Sequence, residues 1–517
     1  MTHLAEPASE AYGRALIWLG ADSMKFRVLL GLAATVLMLA CPLPGHAADA
    51  PAPAAAASAK PERLPPEASV RQTLKIAGRQ LNYIAYAGAL PVRDKDGELI
   101  GEVAYTAFIA DGDHVNRPVT FAFNGGPGAA SVYLNLGLVG PKSVRFGAQG
   151  DLPSSSAQVV DNPDSWLEFT DLVFIDPIGT GFSRSYIDAD KSKKAFFGTE
   201  QDIRYLSRIV YDWLLKNGRM GSPKYLVGES YGGFRLPRLA YALQTDLGVG
   251  IWGMTLVSPR LDYTVPGGRD ISPLPWVTTL PSMAAARRER DGKLLTRADM
   301  ADVEEYARSD FMVDLMRGAR DPAALERVVT QVAQLTGLDI DTVRRLGGRV
   351  ELNTFAREFQ RSQGRISSRY DVNVSAYDPF PWSPTTRAGD PILDAIIAPT
   401  TSAEVDYVTR VIGWKADGAY AALSDAVGDA WERDNTAESS TALRQALALD
   451  PSMKVLIVHG FTDIQTPYFA SQLIIDQIPP MGGQEQIRLA VYPGGHMFYS
   501  RPDSRTAMRR DVRSIYR

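Results

Sequence analysis

Cysteine is almost absent from this 517-residue sequence. The single cysteine, Cys41, lies at the end of an apolar segment. If cleavage follows that segment, the mature protein has no disulfide and its fold depends on packing alone. Histidine is also scarce, and there is neither a His-rich or Cys-rich cluster nor a phosphate-binding loop that ends in Lys-Ser/Thr. We therefore predict no metal ion and no cofactor.

The sequence has no large excess of either charge. It carries 55 Lys and Arg residues against 59 Asp and Glu residues, a formal net charge of −4. This balance provides no broad attraction to nucleic acid or to an anionic membrane surface. We expect neither as a partner, and the sequence leaves the oligomeric state undefined.

The sequence also has no apolar run long enough to span a bilayer. A short basic region, residues 24–27, precedes the apolar residues 28–40, a pattern typical of a secretory signal. We predict that residues 1–48 form a leader and that the protein is exported, to the periplasm or out of the cell. A lipid anchor on Cys41 is the alternative. Residues 49–71, rich in Ala and Pro, are predicted to be a linker.

Short apolar runs alternate with helical patterns in residues 72–263 and 451–517. Such runs fit strands that are buried on both faces of a mostly parallel sheet, so the predicted class is α/β. The runs are residues 119–123, 172–175, 225–227, 254–257, 455–458 and 487–492.

Two further regions complete the predicted architecture. Residues 80–87 and 102–110 have strand character and are predicted to form an antiparallel hairpin. Thr199 is predicted to cap a helix. The alternation stops in residues 264–450, where charged helical patterns predict a mainly helical cap over the carboxyl edge of the sheet.

The most informative motif is Gly-Glu-Ser-Tyr-Gly at residues 228–232. It follows the apolar run 225–227 and precedes a helical pattern, which predicts a sharp turn that exposes Ser230 as a nucleophile. A serine hydroxyl needs a base to remove its proton, and the base needs an acid to orient it.

His496 and Asp463 are the best candidates for the base and the acid. Each follows an apolar run near the end of the chain. The order serine, acid, histidine is the one expected when a nucleophilic serine lies at such a turn in an α/β sheet. His459 is predicted to be structural and His114 to lie in a turn.

The glycine-rich segment 124–128 directly follows the apolar run 119–123. A backbone N–H from this loop can join the N–H of Tyr231, the residue after the nucleophile, to stabilise an oxyanion.

Several motifs occur in one fixed order along the chain. They are Asn124-Gly125-Gly126-Pro127-Gly128, Asn162, Ser165-Trp166, residues 177–183, Gly228-Glu229-Ser230-Tyr231-Gly232-Gly233, the loop of Asp463 and Gly495-His496-Met497. Over residues 75–517 this pattern resembles the serine carboxypeptidases, which have the α/β-hydrolase fold. The resemblance implies an enzyme that removes C-terminal residues through an acyl-enzyme intermediate.

The resemblance also implies a role for each matching residue. Ser230 would attack, His496 would transfer the proton and Asp463 would orient His496. The backbone N–H groups of Gly126 and Tyr231 would form the oxyanion hole. A peptide or small acyl compound would be the substrate.

Recognition of the substrate's terminal carboxylate would fall to Asn124, Gly125 and Glu229. Glu229 can face a carboxylate only if the two share a proton, since two charges at that distance repel strongly. The family's second glutamate is absent, because Leu138 stands in its place. Ala129 replaces a family cysteine, as expected of a bacterial, disulfide-free member.

Two other classes of function remain open on the sequence. An esterase, acyltransferase or aminopeptidase can use the same three residues, because a fold does not fix the substrate. A non-catalytic, peptide-binding protein of the cell envelope is the second alternative.

Overall fold

The computed structural model describes residues 62–144, 158–265, 271–383, 385–481 and 485–516. The predicted leader, Cys41 and linker residues 49–61 lie outside this range. Within it, no helix has the length and apolar character needed to cross a membrane.

Most strands of the described residues belong to one large sheet. Each of the six apolar runs predicted to be strands forms one, so these predictions are confirmed. In chain order the strands are β1 (Ala68–Ile76), β2 (Arg79–Arg93), β3 (Leu99–Ala110), β4 (Val119–Phe123), β5 (Lys142–Val144), β6 (Val159–Asp161), β7 (Asp171–Ile175), β8 (Arg184–Ser185), β9 (Lys224–Glu229), β10 (Gly253–Val257), β11 (Arg365–Ser367), β12 (Ser375–Tyr377), β13 (Lys454–Gly460) and β14 (Ile487–Tyr492).

The sheet has the order β1-β2-β3-β7-β4-β9-β10-β13-β14, and β8 pairs with β3. Six neighbouring strands pair in parallel, in the order β7, β4, β9, β10, β13 and β14. At the other side of the sheet, β1, β2, β3 and β7 pair antiparallel. Successive side chains of the central strands enter two separate cores, one on each face, as Leu256 and Val257 do. The α/β class and the antiparallel opening hairpin are confirmed. Parallel pairing brings the carboxyl ends of β4, β9, β13 and β14 to one edge.

The start of the folded region was predicted too late. The prediction placed it at residue 72, but β1 begins at Ala68 and Leu64 is already buried. The Ala/Pro-rich composition conceals this strand, which β2 stabilises by pairing along its whole length from Ala68 to Ile76.

Helices cover both faces of the sheet. The prediction that Thr199 caps a helix was wrong, since Thr199 is the first residue of α3 and Gly198 is the cap. The helices are α1 (Val132–Leu134), α2 (Ala189–Phe196), α3 (Thr199–Lys216), α4 (Tyr231–Asp246), α5 (Leu274–Arg290), α6 (Ala301–Tyr306), α7 (Met312–Arg317), α8 (Pro322–Thr336), α9 (Ile340–Arg345), α10 (Leu352–Glu358), α11 (Pro391–Asp406), α12 (Asp425–Ala430), α13 (Ser440–Leu449), α14 (Tyr468–Ile475) and α15 (Pro502–Arg513).

The region predicted as a cap, residues 264–450, holds helices α5 to α13 and the small hairpin of β11 and β12. Apolar residues of α5, α6 and α8 form a third core with Phe461 and Tyr468, which follow β13. This shared core fixes the helical region to the sheet next to the predicted acid loop.

Candidate active site

Ser230 lies at a sharp turn between β9 and α4. Its backbone has a φ of 59°, a strained value for a residue with a side chain. The flanking glycines allow the turn, because a Cβ at Gly232 would lie 2.2 Å from the carbonyl oxygen of Phe123. A Cβ at Gly228 would lie 2.5 Å from the carbonyl oxygen of Gly232. The sequence motif therefore reflects close packing of backbone around Ser230.

His496 and Asp463 form a buried hydrogen-bonded pair at the same sheet edge. His496 follows β14, Asp463 follows β13, and the Nδ1–H of His496 donates to Asp463 Oδ2 at 2.7 Å. Ser258, after β10, holds the histidine backbone by donating its hydroxyl to the His496 carbonyl (2.7 Å). The ring of Tyr370 meets the imidazole edge-on, with centroids 5.1 Å apart. Nδ1 is thus occupied, and Nε2 is left to act as the base.

Thr466 also belongs to this pair, although the sequence analysis did not identify it. Its Oγ1 lies 2.7 Å from Asp463 Oδ2 and 2.9 Å from His496 Nδ1. The backbone N–H groups of Gln465 and Thr466 donate to Asp463 Oδ1 at 2.8 and 2.9 Å. An aspartate followed by a threonine three residues later is a local signal for such a turn.

The electrostatics of the pair suit a base. Burial lowers the pKa of His496, but the carboxylate of Asp463 and the nearby Glu229 raise it, and the pKa lies above the ordinary value of histidine. By contrast, burial lowers the pKa of His459 to about 3, and its Nε2 contacts Ser471 Oγ at 2.9 Å. His459 therefore stays neutral inside the protein.

The loop after β4 packs directly against the backbone of the nucleophile turn. A Cβ at Gly125 would lie only 2.5 Å from the backbone nitrogen of Tyr231. Gly126 has a φ of 100°, a conformation that favours glycine. The structure therefore brings together the two backbone segments predicted to supply the oxyanion hole.

Glu229 lies at the centre of a buried hydrogen-bonded cluster. Its Oε2 accepts from Asn124 Nδ2 at 2.5 Å, and its Oε1 accepts from the hydroxyl of Tyr499 at 2.7 Å. Asn124 Oδ1 in turn accepts from the backbone N–H of Leu134 (2.9 Å). Burial raises the pKa of Glu229, although His496, Tyr499 and Asn124 oppose this shift. Tyr499 was not identified from the sequence, which gives no signal for it.

These groups line one pocket of about 620 Å³ between the sheet edge and the cap. Ser230 and His496 both face it, while Asp463 is completely buried behind His496. From the cap, Tyr370, Ile396 and Trp431 also line this pocket. Residues 62–516, where described, contain no group of three or more side chains arranged to hold a metal ion.

Comparison with known proteins finds similarity over part of the chain. The family model described as serine carboxypeptidase matches residues 78–247. Serine carboxypeptidase-like 29 of Arabidopsis thaliana is 28% identical over 174 residues, 33% of either chain. The pheromone-processing carboxypeptidase kex1 of Aspergillus niger is 32% identical over 154 residues, 29% of this chain and 22% of that protein. The chain therefore matches a third or less of these relatives' length.

Structural comparison shows a similarity of fold that reaches beyond residues 78–247. The crystal structure of Kex1, a prohormone-processing carboxypeptidase from Saccharomyces cerevisiae, aligns with 84% of this chain and 91% of its own, with a TM-score of 0.52 and 16% identity. The fold is that of the α/β-hydrolases. The resemblance to the serine carboxypeptidases is confirmed over residues 78–247.

Proposed function

We propose that the protein is an exported serine carboxypeptidase. The supporting observation is the buried cluster of Asn124, Glu229 and Tyr499, of which Asn124 and Glu229 line the pocket that contains Ser230 and His496. A hydrogen-bonding carboxyl group at that position suits a substrate that ends in a free carboxylate. An esterase has no need of such a group.

The proposed reaction proceeds in two halves. The hydroxyl oxygen of Ser230 attacks the last peptide carbonyl while His496 Nε2 takes the hydroxyl proton, and Asp463 stabilises the imidazolium. Backbone N–H groups of Gly126 and Tyr231 hold the oxyanion. The C–N bond breaks, the leaving amine takes the proton from His496, and an acyl-enzyme remains. Water then attacks the acyl-enzyme with His496 again as the base, which releases the shortened peptide and restores Ser230.

Substrate recognition depends on one proton at Glu229. A protonated Glu229 donates to the terminal carboxylate, whereas an ionised Glu229 repels it. Asn124 and Gly125 complete this end of the site. Because burial raises the pKa of Glu229, the protonated form persists to higher pH than for an exposed glutamate, and binding weakens as pH rises.

The test compares a blocked dipeptide that has a free C-terminus with the same dipeptide as its C-terminal amide. A carboxypeptidase cleaves the acid with the higher kcat/KM, whereas an esterase, acyltransferase or aminopeptidase shows no preference for the acid. Labelling with a fluorophosphonate separates an enzyme from a binding protein. Wild type should be labelled and Ser230→Ala should not, whereas an unlabelled wild type contradicts the proposal.

Export is proposed on the basic and apolar segments at residues 24–40. Expression of the full chain followed by cell fractionation and N-terminal sequencing tests it. Export predicts a processed protein outside the cytoplasm, and an intact N-terminus in the cytoplasmic fraction contradicts it.

A further inference from the structure

Tyr133 carries a buried hydroxyl that the proposed reaction does not use. It lies in α1, just after the glycine-rich loop, and only 6% of the residue is exposed. Among the described residues its hydroxyl has no hydrogen-bond partner. A buried polar group without a partner is costly in free energy. A tyrosine at this position therefore requires an explanation that phenylalanine would not.

The surroundings of Tyr133 show where a partner would come from. Tyr133 lines the same pocket as Ser230 and His496. Its neighbour Leu134 is bonded through its backbone N–H to Asn124, which is bonded to Glu229. The short helix α1 is thus connected to Glu229 by two hydrogen bonds through Asn124.

Glu229 is already supplied with donors from other residues. Asn124 donates to one carboxyl oxygen and Tyr499 to the other. Tyr133 is close enough for the charge of Glu229 to affect it, since burial and then Glu229 raise the pKa of the Tyr133 hydroxyl. The phenol therefore remains a neutral donor throughout the physiological pH range.

We propose that the Tyr133 hydroxyl donates a hydrogen bond to the C-terminal carboxylate of the peptide substrate. This inference rests on the proposed function and adds a further donor beside Glu229, in a chain where Leu138 stands in place of the family's second glutamate. The two donors differ in their response to pH. Glu229 donates only while protonated, whereas Tyr133 donates at every pH at which the protein is active.

The test uses Tyr133→Phe, with Tyr306→Phe as the matched control. Tyr306, at the end of α6 in the cap, also has a buried hydroxyl without a partner in the described part of the chain. Dissociation constants for the blocked dipeptide acid and its amide are measured by calorimetry in the Ser230→Ala background, and KM and kcat for the acid are measured with Ser230 intact.

The proposal predicts that Tyr133→Phe weakens binding of the acid by roughly tenfold or more, the expected size for a lost hydrogen bond to a charged group. Binding of the amide changes far less, kcat changes little, and the same factor in KM appears at each pH from 5 to 8. Tyr306→Phe leaves both ligands unaffected. Because neither hydroxyl bonds to another described residue, neither variant should melt at a lower temperature.

Three results would overturn the inference, and they have different meanings. If wild type prefers the acid and Tyr133→Phe keeps the full preference, only the role of Tyr133 is wrong. If wild type binds acid and amide equally, carboxylate recognition itself is wrong and the proposed function fails with it. Equal weakening of both ligands would show that Tyr133 only shapes the pocket.

Discussion

The role that we propose for Glu229 makes substrate binding depend on the protonation of one residue. Glutamine has nearly the same shape but donates a hydrogen bond at every pH. We predict that Glu229→Gln removes the rise of KM with pH that wild type shows between mildly acidic and neutral conditions. Steady-state kinetics with a blocked dipeptide across that range provide the measurement. Identical pH profiles of KM in the two proteins would show that no shared proton is involved.

The same substitution also affects the base. Glu229 helps to raise the pKa of His496, and the base must be neutral to accept a proton from Ser230. We predict that Glu229→Gln shifts the acidic limb of the kcat/KM profile, which reports the free enzyme, to lower pH. The control is Glu305→Gln, which alters an exposed cap residue and should leave that limb unchanged. An unshifted limb in Glu229→Gln would contradict the electrostatic contact.

Thr466 supports the pair of Asp463 and His496. Its hydroxyl contacts both side chains. We predict that Thr466→Val lowers kcat/KM by roughly fivefold, the value of one neutral hydrogen bond, mainly through kcat. Thr466→Ser keeps the hydroxyl and should retain most of the activity. If valine and serine at this position behave alike, the hydroxyl has no positioning role.

The turn that joins strand β9 to helix α4 depends on its glycines. A methyl group at Gly232 would overlap the carbonyl oxygen of Phe123 in β4. We predict that Gly232→Ala separates β4 from the nucleophile turn and abolishes fluorophosphonate labelling of Ser230. Gly250→Ala is the control, since no atom lies within 4 Å of a Cβ there. Normal labelling of Gly232→Ala would contradict the packing described for this turn.

Two acidic side chains lie near each other, one after β7 of the sheet and one in α11 of the cap. Burial raises the pKa of Asp176, after β7, to about 7, and burial together with Asp176 raises the pKa of Glu404, in α11, to about 8. Both values exceed those of the unfolded chain, so the folded protein binds more protons between about pH 4 and pH 8. The contribution of these two groups to the free energy of unfolding is therefore largest at low pH, and it is lost as pH rises through that window.

Glu404→Gln keeps a neutral hydrogen-bonding group at this position. We predict a higher melting temperature than wild type at pH 8 and little difference at pH 5, measured by thermal denaturation. Again Glu305→Gln, on the cap surface, provides the control. An equal shift at both pH values would show that ionisation of Glu404 does not destabilise the contact between α11 and the sheet.

The sequence predicts elements better than it predicts contacts. Strand β4 was predicted with its exact bounds because a strand buried on both faces is continuously apolar. Strand β1 was not predicted, because Pro and Ala near its start indicate a linker. Tyr499 and the proximity of Asp176 to Glu404 were missed because tertiary folding alone brings such distant residues together.

Whole-molecule architecture explains why residues so far apart in sequence can act together. Parallel strands β4, β9, β13 and β14 end at one edge, so the loops that follow them converge beneath the cap. The family match in sequence ends at residue 247. His496 and Asp463 lie beyond that limit, and their placement beside the pocket depends on the fold.

The most direct test of the central claim is mass spectrometry of an unblocked peptide after incubation with wild type and with Ser230→Ala. We predict that wild type shortens the peptide one residue at a time from its C-terminus, that the C-terminal amide of the same peptide resists, and that Ser230→Ala leaves both intact. Shortening from the N-terminus, or equal loss from acid and amide, would contradict the assignment of this pocket to carboxypeptidase chemistry.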